Sequence, residues 1–95
     1  MRHELKTWPA FFQSVLDGSK PFELRRHDRP FAEGDWLILR EWNPATKEYT
    51  GRECARSISY VLVHSPFPED DFGLKEGFCA LGLGVTTSSR EVNDG

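Results

Sequence analysis

The chain has 95 residues, enough for one domain with its own core and too few for two. Apolar residues make up 38% and charged residues 28%, a globular balance, and no apolar run is long enough to cross a bilayer as a helix. The net charge of −3 argues against a general polyanion binder.

His3 to Lys6 reads as a short opening strand. A helix follows, with Thr7 as its expected N-cap and Pro9 in the first turn, where a missing N–H is harmless. Trp8, Phe11, Phe12, Val15 and Leu16 recur at helical spacing and predict one apolar face, with Trp8 in the core. Asp17-Gly18 ends the helix, Gly18 suiting the left-handed position beyond the last turn. Lys20 to Arg26 reads as a strand, with Phe22 and Leu24 towards the core and Glu23 and Arg25 on the opposite face. Residues 27–35 form a loop with turn chemistry at Pro30 and Gly34-Asp35. Trp36 to Trp42 is a strand whose apolar centre predicts cover on both sides. Asn43 to Lys47 is a hairpin turn that returns into Tyr49 to Arg52, placing Tyr49 across from Trp42.

Arg56 to Val63 reads as a separate long strand, with Ile58, Tyr60 and Leu62 on one face. Residues 64–77 form a long loop. His64 is a loop residue, Phe67 and Phe72 read as plugs that pin the loop, and Glu69-Asp70-Asp71 reads as solvated acids rather than a metal site. Phe78 to Val85 is the closing strand, where Gly82 and Gly84 predict a bend or close packing. A domain over residues 1–85 and a polar tail over 86–95 result. Five or six strands around one main amphipathic helix argue for an α+β chain folded as a small mixed β-barrel rather than a doubly wound sheet.

Cys54 and Cys79 form no C-x-x-C pair and have no His at ligand spacing, so neither a metal nor a cofactor is implied. Both read as reduced, half-buried strand residues. The start, Met1-Arg2-His3, is followed by no apolar stretch and does not read as a signal peptide, so the expected location is cytoplasmic. No membrane association is expected, and oligomeric state is not legible.

Charge is unevenly distributed. Residues 1–29 hold six Lys or Arg against four acids, net +2, and residues 30–95 hold six against eleven, net −5. A local basic patch on an acidic body suits a short, defined anionic ligand. The informative stretch is Gly18-x-Lys20-x-x-Glu23-x-Arg25, at the passage from helix to strand. Glu23 and Arg25 share a strand face and can pair, while Lys20 emerges at the rim. Arg26, His27 and Arg29 widen the positive rim, and arginine forks suit phosphate. Read from spacing alone, such charges are most often solvated.

This stretch resembles the signature of the ASCH domains, a branch of the PUA-like superfamily. The frame around it is similar to the DUF3850 subgroup of bacterial and phage proteins. That frame is His3-x-Leu5-Lys6, Pro9-x-x-Phe12, the signature, Asp28-Arg29-x-Phe31, Gly34-Asp35, Glu41, Tyr49-Thr50-Gly51-Arg52 and Gly77-Phe78. The resemblance runs from about His3 to Leu83. It implies a PUA-like β-barrel with a cleft beside the helix, and binding of RNA or a nucleotide. A related group of small ASCH-like amidohydrolases acting on acetylated cytidine has Thr where Glu23 stands. A carboxylate there cannot be the same nucleophile, although it can serve as a general base on water.

Three readings follow. The first is an RNA- or nucleotide-binding domain, with Lys20, Glu23 and Arg25 in the cleft and Lys6, Arg26, His27 and Arg29 around it. Trp42 is the expected exposed stacking residue. The second is a small hydrolase or ribonuclease using Lys20 and Glu23 as catalytic residues. The third is a protein-interaction module working through the acidic half. Glu41, an acid on a largely buried strand, is expected to pair with Arg25 or Lys20. His3 and His27 are expected to be exposed or capping.

Overall fold

The computed structural model describes residues 1–63 and 73–84. The elements run β1 (Arg2–Thr7), α1 (Pro9–Leu16), β2 (Phe22–Arg26), β3 (Trp36–Asn43), β4 (Glu48–Val63) and β5 (Phe78–Leu83). β3 and β4 make the expected antiparallel hairpin, with Trp42 opposite Tyr49. β1 lies parallel to β3 on its other side, β5 pairs antiparallel with the far half of β4, and β2 pairs antiparallel with β5. The sheet order is β1-β3-β4-β5-β2.

β4 is one 16-residue strand where the sequence predicts two separate pieces. Its first part, up to Ser57, pairs with β3, and its last part, from Ile58, pairs with β5. Two half-sheets therefore share it. The register shifts between Ile58 and Tyr60. An extra residue in a strand reverses the inward–outward alternation beyond it. Ile58 is accordingly buried and Val61 packs against the core, whereas Tyr60 and Leu62 are exposed. The expected common face of Ile58, Tyr60 and Leu62 is broken at that point.

The sheet is not closed into a barrel, which corrects the barrel fold expected from the sequence. Closure requires a backbone ladder between the two edge strands, β1 and β2. Among the described residues no such ladder forms. β2 has five residues and spends its ladder on β5. The two free edges are joined by a side chain instead: Arg25 Nη2 donates to the Lys6 carbonyl at 2.6 Å. The architecture is a mixed α+β fold, one helix on an open five-stranded sheet.

The core is built on Leu37, Leu39 and Leu81, all fully buried, with Phe12, Val15, Leu5, Phe31 and Ile58 around them. Cys54 and Cys79 are free thiols inside this core, buried rather than half-buried. Gly82 and Gly84 mark close packing, as expected. A Cβ on either would lie 2.8 Å from a serine hydroxyl, Ser59 or Ser57 respectively.

α1 packs on β3 and inserts only Phe12 and Val15 into the core. A helix of two turns resting on one strand buries one narrow stripe. Trp8, Phe11 and Leu16 stay 53%, 50% and 41% exposed, which corrects the reading of Trp8 as a core residue. Thr7 is not the N-cap. That position is Trp8, which makes no side-chain cap, and Thr7 is the buried last residue of β1. Pro9 does open the helix.

His64, Phe67, Phe72, the Glu69-Asp70-Asp71 triplet and residues 86–95 lie outside the described residues.

Candidate functional site

The turn after α1 aims Lys20. Asp17 N–H donates to the Gln13 carbonyl, and Gly18 N–H to that of Val15. Gly18 takes a φ of +87°, a value that costs a residue with a Cβ but not glycine. Lys20 N–H then donates back to the Ser14 carbonyl at 3.0 Å, folding the chain under the helix. Ser19 donates to Asp17 through both its backbone N–H and its hydroxyl, and these bonds hold the Asp17 carboxyl below the usual range.

β2 leaves this turn with its faces opposite to expectation. Glu23 is 4% exposed, while Phe22 and Leu24 are 42% and 58% exposed. Alternation is respected, but the inward face of β2 carries the polar residues. The cause is the open sheet. The inner side of this edge strand looks across the gap at the end of β1, where Arg25 meets the Lys6 carbonyl and lies 3.4 Å from the Thr7 hydroxyl.

Glu23 is held from both sides. Lys20 Nζ donates to Oε1 at 2.7 Å and also to the Phe22 carbonyl at 2.9 Å. Arg25 donates to Oε2 through Nη2 at 3.0 Å and Nε at 3.3 Å. A buried carboxylate needs such compensation, because burying it bare costs far more than any packing gain. Both of its oxygens are thus committed to cations.

The Lys20–Glu23–Arg25 group forms one wall of a cleft of about 310 Å³. This is the small end of the range for ligand pockets. The ends of β1 contribute Lys6 and Thr7, and the start of α1 contributes Trp8 and Phe11. The two aromatic rings are near parallel, 6.4 Å apart at 16°. The Lys20 ammonium lies 5.4 Å from the Phe11 ring and 5.0 Å from that of Phe22.

Of the residues singled out from the sequence, Lys6, Lys20, Glu23 and Arg25 therefore converge. Arg29 lines a neighbouring groove. Arg26 is exposed and lies 5.1 Å from the Phe78 ring, and His27 is exposed; neither lines the cleft. Trp42 is half-buried, with Lys6 Nζ 4.5 Å above its ring, and does not line the cleft either. Thr7, Trp8, Phe11 and Leu24 are the cleft residues that sequence reasoning missed. A helix with five apolar candidates and two turns has more apolar residues than one stripe can bury, and that excess was the available signal.

Other frame residues prove to be architectural. Glu41 pairs with neither Arg25 nor Lys20. It accepts from the Thr50 hydroxyl at 2.6 Å and Arg52 Nε at 3.0 Å, and these bonds depress its carboxyl pKa. Arg52 also reaches Gln13 on α1 at 3.2 Å, so this cluster ties the hairpin to the helix. His3 is buried rather than exposed. Its Nε2 lies 2.9 Å from Asp35 Oδ2, and its ring packs on Phe31 at 4.7 Å. The bond to His3 is the main reason the Asp35 carboxyl sits below its ordinary range. Gly34, at φ +91°, makes the turn that delivers Asp35. Among the described residues no group of three His, Cys, Asp or Glu is arranged to hold a metal ion. Nor is any helix among them long and apolar enough to cross a membrane.

The sequence is 40% identical over 68 residues to the "Uncharacterized 12.9 kDa protein in GpA 3'region" of Escherichia phage P2. The match covers 72% of this chain and 61% of that protein, so the chain spans about three-fifths of the relative's length. The family described as "Domain of unknown function (DUF3850)" matches residues 2–83, which takes in every strand, the helix and the whole cleft. The chain belongs to the DUF3850 family.

Proposed function

We propose that this domain binds RNA or a nucleotide in the cleft between the edges of β1 and β2. The observation that carries the reading is the pairing of two chemistries in one small space. Trp8 and Phe11 present exposed aromatic faces beside Lys6, Lys20 and Arg25. Aromatic platforms beside cations are how proteins hold unstacked bases and their phosphates. The likeness of the Gly18-to-Arg25 segment to ASCH domains points the same way.

Glu23 has two uses in this reading. It fixes the Lys20 and Arg25 side chains, and it offers carboxylate lone pairs to the N–H edge of a base. Pre-organised cations bind an anion at lower entropic cost than free ones.

A second reading, a small hydrolase using Lys20 and Glu23, is favoured by the 2.7 Å contact between those two groups inside the cleft. Against it, each Glu23 oxygen already accepts from a cation, Oε1 from Lys20 and Oε2 from Arg25.

The test is a titration of single nucleotides and short single-stranded RNAs, followed by tryptophan fluorescence and by product analysis. Trp8→Ala should weaken binding by roughly 5- to 150-fold, the equivalent of about 1–3 kcal/mol for one stacked base. Lys20→Ala should weaken it as well. Binding that ignores both substitutions, or no binding at all, would sink the proposal. Product that requires Lys20 and Glu23 would move the protein to the hydrolase reading.

A further inference from the structure

We infer that the ligand is a single strand of at least two nucleotides rather than a free nucleotide, and that a second groove beside the cleft holds its continuing backbone. The inference rests on the proposed function and names its ligand class.

A groove of about 390 Å³ adjoins the cleft and shares two lining residues with it, Lys6 and Arg25. It adds Arg29, Arg40, Tyr49 and Glu4. Both spaces draw on β1, the cleft at Lys6 and Thr7 and the groove at Glu4 to Lys6, from which the groove extends over β3 and β4 to Arg40 and Tyr49. From Glu4 to Thr7 an extended chain rises about 10 Å. That span is longer than one base, and the shared Lys6 and Arg25 make the two spaces adjoin.

The two spaces differ in charge. In the cleft, the buried Glu23 carboxylate takes up much of the charge of Lys20 and Arg25 at hydrogen-bonding distance. Beyond the shared, Glu23-paired Arg25, the groove has three cationic residues, Lys6, Arg29 and Arg40, against the one lining acid Glu4, with Asp28 and Glu53 at its margin. Its added arginines are loosely matched to acids. Arg29 is 3.9 Å from Asp28, and Arg40 is 3.9 Å from Glu4 and 3.6 Å from Glu53. Contacts of that length on exposed side chains contribute little and leave the charge available to a phosphate. Aromatic faces orient two of these cations: Arg40 lies 4.2 Å from the Tyr49 ring and Lys6 4.5 Å from that of Trp42. The cleft is thus shaped for a base and the groove for phosphates, with Lys6 and Arg25 at the junction.

The experiment measures affinity for a mononucleotide and for its tri- and hexanucleotide at several salt concentrations. It uses wild type, Arg29→Ala/Arg40→Ala and Trp8→Ala, each checked for folding by circular dichroism. The wild type should bind the trinucleotide about tenfold or more above the mononucleotide. The double variant should bring the trinucleotide down to mononucleotide affinity and leave the mononucleotide within about twofold. Its log–log salt slope should be shallower by about 1.4, two single-strand phosphate contacts. A mononucleotide bound as tightly as the trinucleotide, or a double variant with an unchanged salt slope, would overturn the inference while leaving the Trp8-dependent cleft intact. Failure of every ligand would overturn the proposed function, and the inference with it.

Discussion

Substituting Glu23 by Ala removes the one carboxylate between two cations. Its side chain is 5% exposed, and those of Lys20 and Arg25 are 20% and 24% exposed. Three charge-assisted hydrogen bonds are lost, one from Lys20 and two from Arg25. Breaking a fully buried pair costs about 3–5 kcal/mol, most of it from the charge left behind. Here the orphaned cations line an open cleft and regain water, so about 2–3 kcal/mol is expected. For a domain of this size that lowers the unfolding midpoint by roughly 10–20 °C. Lys20→Met should cost less, about 1–2 kcal/mol, because Arg25 still satisfies the carboxylate. The double substitution should cost less than the two losses added together, since the groups act as a unit. Urea denaturation followed by far-ultraviolet circular dichroism measures all three. A Glu23→Ala loss below about 0.5 kcal/mol, or strict additivity, would show that Glu23 is solvated and that the triad holds nothing.

Trp8→Ala should leave stability within about 0.5 kcal/mol, because the indole is exposed, in contrast to Phe12→Ala at about 3–5 kcal/mol; parallel denaturation curves check this. The carboxyls of Asp35 and Glu41 are held below their ordinary values. They therefore add stability that is complete above about pH 5 and is lost as pH falls through their folded values. Asp35→Asn and Glu41→Gln should each destabilise the protein at pH 7 and flatten the decline towards pH 2.5, measured as unfolding midpoint against pH. Burial raises the pKa of both cysteine thiols. Neither should react with iodoacetamide at pH 8 until the protein unfolds, so fast labelling of the native state by mass spectrometry would contradict their placement in the core.

Local grammar made most of the elements legible. The helix start at Pro9, its end at Gly18, the β3–β4 hairpin and the end of β2 at Arg26 follow from turn residues and alternation. The signature residues also converge as their spacing suggested. What stayed hidden was set by partners distant in sequence. Alternation in β2 separates Phe22 and Leu24 from Glu23 and Arg25 but does not say which pair faces in. The answer depends on Lys20 arriving from the turn and Lys6 from another strand. The shift at Ile58 leaves no mark in the composition of β4, yet it turns Tyr60 and Leu62 outward. Glu41 found Arg52 rather than Arg25 because the hairpin brings eleven residues of chain back upon itself. Barrel closure failed for the same kind of reason, as the partner of β2 is β5 and not β1.

The most direct test of the proposed site is a heteronuclear NMR titration of the 15N-labelled protein with a short single-stranded RNA at low and moderate salt. Binding in the cleft predicts that the Trp8 indole N–H and the backbone amides of Lys6, Lys20, Glu23 and Arg25 shift together, and that the shifts weaken as salt rises. Shifts confined to residues away from the cleft, or no shifts at saturating RNA, would contradict it.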